Sequence, residues 1–138
     1  MLKNSLFILM VSLLLSTCAK IRDVDMDNLN GYWEIESVQH KGETFYPRGP
    51  SPSIDFYSIN KKLEGYKKKT TPSIAGKHLS TADIAEFRIL LTNEGYVLDY
   101  YKAINPWQES LVSINKNTLV LSHSGKTYQY KRHQKIEL

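Results

Sequence analysis

The residues able to attack, shuttle a proton or hold a metal are few in this chain, and they stand apart from one another. Cys18 is the only thiol among 138 residues, so no intrachain disulfide can form and the fold carries no covalent staple. The four histidines, His40, His78, His123 and His133, show no metal-ligand spacing, and two fall at turns, so each reads as a solvent-facing imidazole. No serine sits in a nucleophile-elbow glycine pattern, and no Gly-rich phosphate loop follows a strand. Glu34 and Glu36 lie on the outward phase of a strand-like segment, where solvation accounts for them. The expectation is a protein that is not an enzyme, with no catalytic centre, no cofactor and no metal.

What remains is aromatic: Tyr57, Tyr66, Tyr96, Tyr100, Tyr101, Trp107, Tyr128 and Tyr130 are spread along the strand-like segments. Rings with a polar tip can line a cavity that takes an amphipathic molecule. Large side chains can equally fill a small barrel and leave no space. If a ligand-binding pocket exists, its walls are expected at Phe56, Phe87, Ile89, Tyr96, Leu98 and Tyr100. Each lies on the more apolar phase of its own strand, as Trp33 and Ile35 do.

The elements that would position these rings are short strands. Asn28 to Val38 centres on Gly31-x-Trp33, a glycine that lets the chain bend into a strand and a tryptophan able to cover the end of a small core. Trp33, Ile35 and Ser37 alternate there with Tyr32, Glu34 and Glu36. Pro47, Pro50 and Pro52 forbid regular structure and predict an open loop around Arg48. Ser53 to Ile59 alternates again, with Ile54 and Phe56 on one face, and Asn60-Lys61-Lys62 turns it into a strand from Leu63 to Thr70. Pro72 interrupts that strand, a second irregular loop follows to His78, and the cap-type residues of Ser80 to Glu86 predict one helical turn.

From Phe87 the pattern is regular. Phe87, Ile89 and Leu91 share a face, Asn93-Glu94-Gly95 turns, and Tyr96, Leu98 and Tyr100 alternate back. Ile104 to Trp107 breaks the run, Ser110 to Ile114 resumes it, and Leu119 to His123 and Lys126 to Arg132 follow across two further turns. About eight strands at this spacing, with no long helix, predict an all-β antiparallel up-and-down meander. Such a meander either stacks as a sandwich or closes on itself; a closed barrel removes exposed edges and makes first and last strands neighbours, where Arg132 or Lys131 can lie over the Trp33 indole, the other reading being an exposed basic pair that touches only water. Gly31, Trp33 and Arg132 are thus the expected closure residues.

The leader is separate. Met1 to Ser5 carries one positive charge, and the apolar run Leu6 to Leu15 is shorter than the roughly 20 residues of a spanning helix but suits a secretory h-region. Leu15-Ser16-Thr17-Cys18 resembles the lipobox of bacterial lipoproteins, with Thr17 in place of the usual Gly, Ala or Ser. That resemblance implies that Cys18 is acylated and becomes the mature N-terminus; an ordinary signal peptide cleaved near a free thiol is the other reading. Ala19 stands where enterobacterial lipoproteins retained in the inner membrane carry aspartate, which favours the outer membrane. Residues 1–17 are thus expected as signal peptide, 18–28 as a tether and 29–138 as one domain. The tether's Asp23, Asp25 and Asp27 read either as a surface-export signal or as a plain solvated linker.

Leu29-x-Gly31-x-Trp33, the run of short strands and the late Tyr128-x-Tyr130-Lys131-Arg132 together resemble the lipocalin-like lipoproteins of bacterial envelopes. The resemblance implies a small lipocalin-like barrel anchored to membrane through its N-terminal lipid, with a small apolar or amphipathic ligand in its calyx. A filled barrel that docks or inhibits an unknown protein partner is the alternative. The net charge of +4 sits largely in Lys61-Lys62 and Lys67-Lys68-Lys69. These are expected on solvated strand faces and turn tips, or against acidic lipid or glycan surfaces, with no nucleic acid as partner.

Overall fold

The computed structural model describes residues 24–49, 54–72 and 78–134. The leader, Cys18 and the first part of the tether lie outside the described residues, as do the centre of the Pro-rich loop and residues 73–77. A 3-10 turn, Met26–Leu29, leads into nine strands: β1 Gly31–His40, β2 Glu43–Phe45, β3 Ile54–Ile59, β4 Glu64–Pro72, β5 His78–Thr92, β6 Gly95–Tyr100, β7 Trp107–Ile114, β8 Thr118–His123 and β9 Lys126–Arg132. Every pairing is antiparallel. From β3 to β9 each strand pairs with the next, and β9 returns to β1. Eight strands therefore close into an up-and-down barrel. The ninth, β2, pairs only with Val38–His40, above the place where β3 pairs with Gly31–Glu34 on the same edge of β1.

Local chemistry explains the corners. In the β8–β9 hairpin Ser124 and Gly125 take φ of 50° and 73°, the two-residue turn whose twist matches that of the flanking strands. At the start of β1, Gly31 has φ of 117°, and a Cβ there would come within 2.9 Å of Arg132 Nη1. Both the backbone and the close approach of Arg132 therefore require glycine.

The closing seam runs Trp33 opposite Arg132 and Ile35 opposite Tyr130. The Arg132 guanidinium lies 3.9 Å above the Trp33 ring. It donates to the carbonyls of Asn30 at 2.7 Å, Asn28 at 2.6 Å and Lys116 at 2.9 Å. Trp33 Nε1 in turn donates to the Leu29 carbonyl at 2.9 Å. One end of the barrel is thus plugged by an indole, braced from below by the 3-10 turn and clamped by an arginine from the last strand. Met26, from the segment expected as tether, is buried together with Leu29 against this end.

Three expectations are corrected. Ser80–Glu86 is not a helical turn but part of β5, whose 15 residues pair back onto β4 as far as Thr70 to Pro72. One isolated turn has an unfavourable nucleus, whereas the free edge of β4 offers a full ladder. Pro72 does not interrupt β4 but ends it, where a missing donor breaks no inner ladder. Trp107 is the first residue of β7, not part of the break before it.

Phase along the strands decides the interior. On β3 the residue opposite Trp33 is Asp55, and Phe56 stands opposite Tyr32. Asp55 and Tyr57 therefore point inward with Trp33, while Phe56 points outward. A bulge between Ile35 and Ser37 shifts β1, so that Ser37 pairs with Gln129 and Val38 with Tyr128. Ser37 thereby leaves the face of Trp33 and Ile35.

The closed half of the barrel is filled by Leu29, Trp33, Tyr57, Phe87, Leu98, Tyr100, Leu119 and Leu121, all at 1% exposure or less. Phe87 packs between Tyr57 and Tyr100 with ring centroids 6.0 and 5.5 Å away.

Candidate functional site

The opposite end is open and differently built. A cavity of about 440 Å3 is lined by Ile35, Asp55, Lys67, Lys69, Trp107, Glu109, His123, Tyr128 and Tyr130. Register explains each inward placement. Lys67 stands opposite Tyr57 and Lys69 opposite Asp55, so both lysines share the inner face. Glu109 stands opposite the fully buried Leu98, and Tyr130 opposite Leu119 and Ile35. Trp107 stands opposite Tyr100, and their rings stack 4.0 Å apart at 7°. The His123 imidazole meets the edge of Trp107 at 5.1 Å, with Nδ1 2.8 Å from the Gln108 carbonyl.

The floor of the cavity is ionic. Lys67 Nζ lies 3.6 Å from Asp55 Oδ2 and 3.7 Å from Glu109 Oε1, and the three side chains are 15%, 6% and 7% exposed. Those distances are ion-pair contacts, longer than hydrogen bonds. Lys67 also lies 5.6 to 6.0 Å from the ring centroids of Tyr57, Trp107 and Tyr100. The Tyr100 hydroxyl donates to Glu109 Oε2 at 3.0 Å and the Tyr130 hydroxyl to Asp55 Oδ2 at 3.3 Å. Lys69 approaches Asp55 Oδ1 to 3.9 Å from a more exposed position. Asp55 Oδ1 itself is buried and has no hydrogen-bond partner among the described residues.

Burial, and then the negative charge of Glu109, holds the Tyr100 hydroxyl well above its ordinary pKa. Burial and then Asp55 do the same for Tyr130. In Tyr57 burial is again the leading cause. All three phenols therefore remain protonated at neutral pH, and those of Tyr100 and Tyr130 serve as donors to the carboxylates.

Of the residues expected to line a pocket, Phe87, Ile89, Leu98 and Tyr100 do come together, with Tyr96 packed against them, but in the filled closed half. None of the six lines the open-end cavity. Phe56 is on the outer face, its centroid 4.8 Å from Tyr32 and 6.1 Å from Tyr66, with the Lys68 ammonium 5.3 Å away. Tyr100 alone reaches the site, through its hydroxyl on Glu109. Gly31, Trp33 and Arg132 meet at the closed end, as described. His40, His123 and His133 are half-buried rather than solvent-facing, and His133 Nδ1 lies 3.3 Å from Glu34 Oε2 on the outside. Among the described residues no group of three or more His, Cys, Asp or Glu side chains is placed to hold a metal ion.

The ionic residues escaped the sequence because charge in a strand reads as solvent-facing. One signal was present: Glu109 is in phase with Trp107 and Leu111, and Asp55 with Tyr57, so each carboxylate interrupts an apolar phase.

No family model matches the chain, and no curated protein sequence matches it either. Among solved structures, it is similar to the crystal structure of a lipocalin-like protein from Bacteroides uniformis. The two share 13% identity and a TM-score of 0.47, over 77% of this chain and 99% of that one.

Proposed function

We propose that the chain is a binding protein, not a catalyst, that holds a small amphipathic molecule at the open end of its barrel. The observation that carries this reading is Asp55 Oδ1, a buried carboxylate oxygen without a hydrogen-bond partner at the wall of a 440 Å3 cavity. A buried acceptor left without a hydrogen bond is unfavourable by about 1–3 kcal/mol, and a ligand donor would relieve it once the carboxylate turns toward the cavity, past the Lys69 ammonium 3.9 Å away. Aromatic and aliphatic walls from Ile35, Trp107 and Tyr128 supply the apolar part of the contact. The filled closed half argues against a long apolar chain reaching into the barrel.

The proposal extends to address. Acylation of Cys18 would tether the domain to a bacterial envelope membrane, with Ala19 favouring the outer one. Two or more acyl chains anchor stably where one does not. Native mass spectrometry of protein extracted in mild detergent tests binding: a stoichiometric small molecule, lost in Trp107→Ala, is expected. Cys18→Ala is expected to move the protein from the membrane to the soluble fraction, and unchanged partition would refute the anchor.

A second reading, docking of a protein partner, is favoured by the exposed Phe45 and Tyr46, at 51% and 69%, beside Arg48. A protein that co-purifies with the wild type but not with Tyr46→Ser, together with an empty cavity, would select it.

A further inference from the structure

We propose, resting on the small-ligand reading above, that the polar part of the ligand is an uncharged polyhydroxylated group of the size of one sugar ring. Three features of the open-end cavity lead there. The first is charge: Asp55 and Glu109 oppose Lys67 and Lys69, and Lys67 Nζ sits 3.6 and 3.7 Å from the two carboxylates. No part of the floor has a single sign. A cationic ligand drawn to Asp55 meets the Lys67 ammonium, and an anionic one drawn to Lys67 meets two carboxylates.

The second is hydrogen-bonding capacity. Asp55 Oδ1 is an acceptor without a hydrogen bond that a turn of its carboxylate brings to the cavity, and Lys67 engages its carboxylates at distances longer than hydrogen bonds, so its ammonium has N–H donors to give. An acceptor and a donor side by side are both met by hydroxyl groups, each of which donates and accepts. An ammonium only donates, and a carboxylate or phosphate only accepts.

The third is shape. Trp107, Tyr128, Tyr130 and Ile35 wall the cavity with apolar surface against which the C–H face of a pyranose ring can lie. With the barrel filled below Tyr100, the space suits one ring and a short aglycone rather than a lipid chain.

The test uses the folded domain and matched short-chain probes: hexyl glucoside, hexyl galactoside and hexyl mannoside against hexanoate and hexylammonium, titrated calorimetrically below any micelle concentration. At least one glycoside is expected to bind about tenfold or more tighter than either ion. In Lys67→Met, whose two carboxylates lose their counter-charge, the order is expected to turn toward hexylammonium. In Glu109→Gln, the second variant should the first not fold, it is expected to turn toward hexanoate.

Tighter binding of an ion than of every glycoside by the wild type overturns the polyol assignment and leaves the binding reading standing. A charged small molecule found in the natively extracted protein does the same. No binding by any probe, together with an empty native protein, overturns both.

Discussion

The Arg132 guanidinium lies 3.9 Å above the Trp33 indole, so that the last strand locks the first at the closed end of the barrel. Arg132 also donates to three carbonyls, those of Asn28, Asn30 and Lys116. Arg132→Ala removes the cation–π contact and leaves those carbonyls to water or to no partner. A loss of about 2–3 kcal/mol is expected, read as a lower urea midpoint with unchanged slope. Arg132→Lys is expected to recover less than half, because a point charge cannot reproduce the planar fork.

Removing Lys67 strands two carboxylates. Lys67→Met is expected to destabilise the fold by about 2 kcal/mol, less than a fully buried pair would lose, because the cavity admits water. Asp55→Asn in the same chain is expected to cost less than its effect alone, since its partner charge has already gone. Urea unfolding of both single variants and the double variant checks this. Strict additivity would show that the 3.6 Å approach carries no coupling.

Alkaline pH should reveal the buried phenols. Tyr57, Tyr100 and Tyr130 have folded pKa values raised above the ordinary 10, with burial as the leading cause. Between the unfolded and folded values the native state binds more protons than the unfolded one. Their contribution to stability is therefore complete below about pH 10 and is lost as pH rises above it. Tyrosinate absorbance from these three rings is expected to appear only as the domain unfolds. Ionisation of Tyr57, Tyr100 and Tyr130 near pH 10 in the still-folded domain would contradict the burial.

Gly65 has no room for a side chain: a Cβ there would collide with the Ser58 carbonyl oxygen and come within 2.9 Å of Ile59 Cα. Both obstacles are backbone, so neither can rotate away. Gly65→Ala is expected to destabilise by about 3 kcal/mol, a fall in Tm of about 10–20 °C by scanning calorimetry.

Closure was legible from residues at the two ends of the domain. An unclosed meander would leave two exposed edges, and Gly31-x-Trp33 and Lys131-Arg132 stand on the two strands that closure joins. Most strands were legible for the same physical reason, a period of two with turn residues between. The binding end was not. On β3 the more apolar pair Ile54 and Phe56 suggested an inner face, yet cross-strand register with Trp33 puts Asp55 and Tyr57 inside. Alternation locates two faces and cannot say which is inner when the interior itself is charged. The β5 segment misled for a related reason: Ser80, Thr81 and Asp83 favour caps locally, but the ladder to β4 outweighs that preference.

The two tryptophans mark the two ends of the barrel: Trp33 donates its indole N–H to Leu29 at the plugged end, and Trp107 lines the open cavity. Proton–nitrogen NMR of the indole groups during titration with the tightest hexyl glycoside therefore tests most directly where a ligand sits. The Trp107 resonance is predicted to shift saturably while the Trp33 resonance stays fixed. A shift of Trp33 with Trp107 unmoved, or no shift of either at saturating probe, would contradict the account.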